Sequence, residues 1–214
     1  MRDTQLDYFL LALCIAVWVI TAINPYDFEA WALEQVASVL CIGLFFLSRR
    51  YVKYSSVALV GLATLFLFHA TGTHFTYSLT PYDPAFKSLT GLSLNDLFSW
   101  ERNHYDRFVH LYFGFATARV FYEYFDQSLL KSGWWVWLLS INIVISISAL
   151  YELMEWSAVL LFANESGVLY LGTQGDIWDA QADIALGGLG ALIAWFCFIG
   201  PVILRHLIKV PEAA

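Results

Sequence analysis

The chain predicts an all-α, polytopic membrane protein, on three observations. Hydrophobic residues make up 59% of it against 14% charged. Six apolar runs approach the ~20 residues that a helix needs to cross a ~30 Å hydrocarbon layer. Aromatic residues, Trp31, Tyr54, Trp100, Tyr105, Trp134, Trp135 and Trp178 among them, gather at the ends of those runs, where an amphipathic ring is best solvated. The runs cover residues 7–23, 31–47, 55–73, 106–125, 134–162 and 179–204. The expected architecture is a six-transmembrane-helix bundle, a single integral membrane domain over residues 1–214, with an interfacial helix in the third-to-fourth helix loop.

The first run reads as a retained anchor: Arg2 is offset by Asp3 and Asp7, and no small-x-small cleavage site precedes Asn24-Pro25. The second carries Glu34 and Gln35 one turn in, which suits a hydrogen bond to a neighbouring helix. The third ends in His69-x4-His74, a spacing similar to the first histidine box of membrane di-iron desaturases and hydroxylases; the H-x-x-H-H boxes of those families are absent. Residues 75–102 form the one long loop, punctuated by Pro81 and Pro84. Within it Leu94, Leu97 and Phe98, followed by Trp100, have the spacing of a short helix lying on the membrane surface. In the fourth run Asn103, Asp106 and His110 fall at i, i+3 and i+7. Capping explains Asn103 as an N-cap and Asp106 as a first-turn carboxylate, but it does not explain His110. Further along, Arg119 and Glu123 stand at i, i+4, where they can pair.

The fifth run places Glu152 and Glu155 on one face, far from any helix start, so capping cannot account for them. The sixth is led by Asp176, Asp179 and Asp183 at i, i+3 and i+7, three carboxylates on one stripe. Thr173 with Asp176 fits an N-cap pair, leaving Asp179 and Asp183 unexplained. The stripe continues as Gly187 and Gly190, nearly bare backbone on which a neighbouring helix can pack closely.

Arg49, Arg50 and Lys53 lie between the second and third runs, Lys131 between the fourth and fifth, and Arg205 and Lys209 after the sixth. The positive-inside rule then puts both termini in the cytoplasm. In that orientation Glu34, His69, His74, Asn103, Asp106, His110, Glu152, Glu155, Asp176, Asp179 and Asp183 all fall toward the outer face. Ionisable groups near the bilayer centre cost roughly 2.5–3.5 kcal/mol each on insertion scales, so they must face partners inside the bundle. The net charge of −7 and the lack of a basic stripe exclude nucleic acid as a partner. Cys14, Cys41 and Cys197 fall within apolar runs and imply no disulfide framework. No phosphate-cradling glycine loop, H-E-x-x-H, G-x-S-x-G or C-x-x-C is present.

Asn103-x-Tyr105-Asp106-Arg107-x2-His110-x3-Gly114, then Glu152-x2-Glu155-Trp156, then Asp176-x-Trp178-Asp179-x3-Asp183-x3-Gly187 resemble the motifs of the YjdF-type family of uncharacterised bacterial inner-membrane proteins, over nearly the whole chain. The order of an Asp-x3-His helix, an acidic helix and an Asp helix with glycines is more remotely similar to VanZ-like proteins, which are linked to glycopeptide-antibiotic tolerance at the cell envelope. The resemblance implies an inner-membrane location and a multi-helix architecture, but no reaction.

Three functions fit these residues. The first is an enzyme with an outward-facing site acting on a lipid or lipid-linked envelope substrate. There His69, His110, Glu155, Asp179 and Asp183 would hold a divalent metal. An oxygen-rich set with few nitrogens suits Mg²⁺, Mn²⁺ or non-haem iron. In this reading Glu152 and Glu155, with His110 and Asp179, are the catalytic candidates, as acid and base, and Arg107 orients an anionic head group. The second is a proton- or cation-coupled small-molecule transporter using the same groups as a relay. The third is a non-catalytic envelope or assembly factor, in which the polar cluster only locks the helices together.

Overall fold

The computed structural model of the chain describes residues 4–128, 134–162 and 171–208, and the elements among them are all α-helices. They are α1 (Thr4–Thr21), α2 (Phe28–Ser48), α3 (Ser56–His74), α4 (Tyr82–Thr90), α5 (Leu94–Phe98), α6 (Tyr105–Ser128), α7 (Trp134–Phe162) and α8 (Asp179–Ile208). The expectations placed on Arg2, Asp3, Lys131, Lys209, the side chain of Arg205 and residues 164–170 lie outside what is described.

All six apolar runs fold as long helices, but among the described residues only α2, α3, α7 and α8 are long and apolar enough to cross a membrane by length and hydropathy. The apolar part of α1, Gln5–Thr21, is shorter. The fourth run falls short for a different reason: α6 carries Asp106, Arg107, His110, Arg119, Glu123 and Asp126, which dilute its hydropathy. The long loop is also more ordered than its prolines suggest. Pro81 sits at the N-cap of α4 and Pro84 in its first turn, positions where a missing N–H costs nothing, and Gly91 closes the helix at φ +76. The Asp83 carboxylate then accepts from the Leu94 and Asn95 N–H groups and from Ser93 Oγ, binding α4 to α5.

The centre of the fold is a three-helix packing of α6, α7 and α8. One glycine of α8 and one of α6 allow it. A Cβ on Gly190 would collide with the Leu111 carbonyl oxygen, and one on Gly114 with the carbonyl oxygen of Gly187. The helices therefore meet backbone to backbone, the close approach that small residues permit. Below this contact Ala118, Trp137, Val144, Ala191 and Ala194 are fully enclosed. Helix α3 packs on the outer side of α6, with Phe68 edge-on to Phe108 and Tyr112, and α1 lies along α3.

Helix α2 is attached differently. Besides the small Ala30–Ala158 contact, it is joined through side-chain hydrogen bonds: Tyr151 to Glu34, Ser38 to His69, and Trp18 to Gln35. At the end of the bundle where α3 begins and α6 finishes, Glu123 accepts from the Ser55 N–H (2.7 Å), Ser55 Oγ (2.5 Å) and its i−4 neighbour Arg119 (2.7 Å). The pairing expected for Arg119 and Glu123 thus also fastens the start of α3.

Candidate functional site

Helices α6 and α8 begin at the same end of the bundle at which α7 finishes, which brings their acidic residues together. His110 Nε2 stands 3.5 Å from Asp106 Oδ1 on its own helix and 3.5 Å from Glu152 Oε1 on α7. One ligand atom each from Asp106, His110 and Asp183 lies within 4.8 Å of the other two. Two ligands of one octahedral ion at about 2.1 Å are about 3 Å apart when adjacent and about 4.2 Å when opposite, a spacing of the same order as that of these three atoms. Asp183 is 1% exposed and Glu152 8%, and neither Asp183 Oδ1 nor Glu152 Oε1 receives a hydrogen bond. Ser148 Oγ, on the same stripe of α7 and against Gly187, also lacks a partner. Buried oxygens left in this state are costly and uncommon in native proteins. Glu155, one turn beyond Glu152 on the same helix face, is buried too.

A second layer lies above. Arg102 Nη1 donates to Asp179 Oδ1 at 2.6 Å and reaches Asp176 Oδ2 at 3.4 Å. Arg107 Nη2 pairs with Asp176 Oδ2 and lies 3.4 Å from Asp179 Oδ1. The two cations and two anions balance, so among the described residues Asp106, Glu152, Glu155 and Asp183 are left with His110 as their one basic neighbour. Asp176 also accepts from the Trp178 N–H (2.9 Å). That bond, then the Arg107 guanidinium, hold its carboxyl below the ordinary value of 3.8. The Asp176 side chain is thus the cap, where Thr173 contributes only its backbone carbonyl. His104 lies beside this layer, and burial followed by the fields of Arg107 and Arg102 lowers its pKa.

The other sequence candidates are placed apart from the triad. Asp179 is engaged by the arginines. His69 has both ring nitrogens occupied, by Ser38 Oγ and Tyr77 Oη at 2.6 Å each. His74 Nδ1 faces the Thr21 carbonyl at 2.9 Å, joining α3 to the end of α1. Glu34, 4% exposed, accepts from Tyr151 Oη at 2.5 Å. The Asn103 side chain accepts from the Tyr105 N–H at 2.9 Å; α6 starts one residue later than the capping pattern suggests, and Asp106 is its second residue. Arg102 went unnoticed in the sequence. Its signal was position: with Lys87 and Arg107 it places positive charge on the side that the positive-inside rule leaves poor in it.

The fold and its buried polar end define a helical integral membrane protein, and the comparisons give its kinship. The family described as "Predicted membrane protein (DUF2238)" matches residues 6–201, and the chain belongs to that family. It is 30% identical over 181 residues, 82% of this chain and 80% of the relative, to the inner membrane protein YjdF of Escherichia coli (strain K12). No solved structure matches it.

Proposed function

We propose that the chain crosses the inner membrane six times with both termini cytoplasmic, and that its buried polar end is an outward-facing, divalent-cation-dependent site acting on a lipid or lipid-linked envelope substrate. The observation that carries this reading is the unpartnered, fully buried Asp183 Oδ1 beside Asp106 and His110. Two carboxylates and one imidazole are a donor set for Mg²⁺, Mn²⁺ or Fe²⁺. Such an ion would offset their charge and supply Lewis acidity toward a phosphoryl oxygen. In this reading Glu152 and Glu155 serve as general base and general acid, with His110 Nε2 3.5 Å from Glu152 Oε1.

A lipid substrate is supported by an apolar groove of about 320 Å³ between α7 and α8. Its lining begins at Ile184, one residue past Asp183, and includes Ile145, one turn from Ser148. Transport is less well supported, because the enclosed layer of Ala118, Trp137, Val144, Ala191 and Ala194 separates the site from the Arg119–Glu123 end.

The test is elemental analysis and Mn²⁺ binding, followed by electron paramagnetic resonance, on protein purified in mild detergent without chelator. Stoichiometric metal that is lost in both Asp183→Asn and Asp106→Asn is the expected result. A wild-type protein that binds no divalent ion refutes the cation site and leaves a structural polar core.

A further inference from the structure

The two arginines above the triad hold more donors than their aspartates use. Arg102 spends Nη1 on Asp179 and Asp176, while its Nε and Nη2 are buried with no partner. Those two nitrogens form the side edge of the guanidinium, the one that presents two parallel N–H bonds and binds oxyanions bidentately. Arg107 spends Nη2 on the same aspartates and also leaves its Nε unpartnered. The side chains are 15% and 22% exposed, so these donors lie just beneath the surface. A fold that needed only to neutralise Asp176 and Asp179 would not leave three N–H groups buried and unsatisfied, given about 1–3 kcal/mol for each such group.

From these donors we infer that Arg102 and Arg107 form a receptor for a phosphoryl group. Three donors spread over two guanidiniums match a tetrahedral group with three free oxygens better than a planar carboxylate with two. The inference rests on the reading of this end of the bundle as a substrate site, and it gives that substrate's head a chemical class. Charge sets a condition on it. The arginine–aspartate layer is neutral and the triad beneath it is acidic, so an added anion is favoured when a cation occupies Asp106, His110 and Asp183. The phosphoryl group is that of a membrane lipid head group or of free phosphate, and the test separates the two.

The experiment uses the full chain in detergent, with and without saturating Mn²⁺, titrated with inorganic phosphate and, separately, with dihexanoyl phosphatidic acid. Mn²⁺ binding is recorded independently by electron paramagnetic resonance. The expected result is saturable binding of phosphatidic acid, tightened by Mn²⁺ and weakened at least about tenfold in Arg102→Lys. That variant keeps the charge facing Asp179 but loses the bidentate edge. Arg107→Lys should weaken it as well, and both variants should bind Mn²⁺ as the wild type does. Equal binding of inorganic phosphate would support the receptor with a free-phosphate source, and binding of phosphatidic acid alone would support it with a lipid source. Binding that is identical with and without Mn²⁺ but lost in Arg102→Lys supports the receptor while removing the cation condition. No binding of either probe, or equal affinity in wild type and both lysine variants, overturns the inference. Absence of Mn²⁺ binding alone refutes the cation site and not the receptor.

Discussion

Asp183→Asn should make the cation-free protein more stable while abolishing its response to metal. Asp183 is 1% exposed, with one oxygen unpartnered, and its ligand oxygen lies within 4.8 Å of that of Asp106. Two full negative charges at that separation repel by about 3.5 kcal/mol at an effective dielectric of ~20. Proton sharing with His110, Glu152 and their neighbours relieves part of this, leaving a net gain of about 1–3 kcal/mol on replacing the carboxylate by an amide of the same shape. In a chain of this size that corresponds to a rise in Tm of roughly 2–12 °C. The nine tryptophans make intrinsic fluorescence a direct assay of unfolding in detergent. In EDTA the variant should melt above the wild type. At a Mn²⁺ concentration of about 1,000 times Kd the order should reverse, because the wild type alone gains the ~4.1 kcal/mol of linked binding. A variant that melts below the wild type in EDTA, or that responds to Mn²⁺ as the wild type does, would refute the reasoning.

Gly190→Ala and Gly114→Ala should each destabilise the bundle by about 1–3 kcal/mol or more, since the added Cβ meets backbone of the facing helix. Gly43→Ala, with nothing within 4 Å, should be neutral or slightly stabilising by the same melting assay. Tyr151→Phe leaves the Glu34 carboxyl buried without that donor and should cost about 1–3 kcal/mol. Adding Glu34→Gln to it should recover part of the loss, and strict additivity of the two changes would show that the pair is not coupled. For Asp176 the pH dependence has a definite sign. Its folded pKa is lowered, so its contribution is present above 3.8 and disappears as pH falls through the lowered value. The melting difference between wild type and Asp176→Asn should therefore be constant from pH 7 to about 5 and vanish in strong acid; a difference already lost at pH 5 would place the carboxyl outside the arginine layer.

The helices were legible because residues 7–23, 31–47, 55–73, 106–125, 134–162 and 179–204 are long apolar runs, and a membrane leaves such runs few alternatives. What the runs could not reveal was how each helix is held. Helix α2 reads like its neighbours in sequence, yet its attachment draws on Glu34, Gln35 and Ser38 finding partners in Tyr151, Trp18 and His69 on three other helices, contacts between residues far apart in the chain. Helix α4 was hidden by Pro81 and Pro84, which read as loop signals until the helix start falls between them. In the polar cluster, periodicity showed which carboxyls share a face of one helix, but not which face a neighbour presents. Asp179 and Asp183 are equivalent on the stripe. The positions of Arg102, in a loop with no periodic pattern, and of Arg107 pair the first, at 2.6 and 3.4 Å, and do not reach the second.

That division gives the polar end its chemistry. Had the arginines reached one turn deeper, Asp183 would be paired and the cluster would be a closed ion network suited to locking helices together. As folded, the neutral layer of Arg102, Arg107, Asp176 and Asp179 covers a layer in which, among the described residues, His110 is the one basic group beside four carboxyls. Helix packing cannot relieve this excess, because Gly187 and Gly190 already bring α6 and α8 to backbone contact. The remaining ways to balance it are protons and an added cation. Substituting Asp183 distinguishes them: if protons alone balance the cluster, the asparagine variant keeps every property of the wild type except stability, whereas a cation site loses its ligand together with the charge.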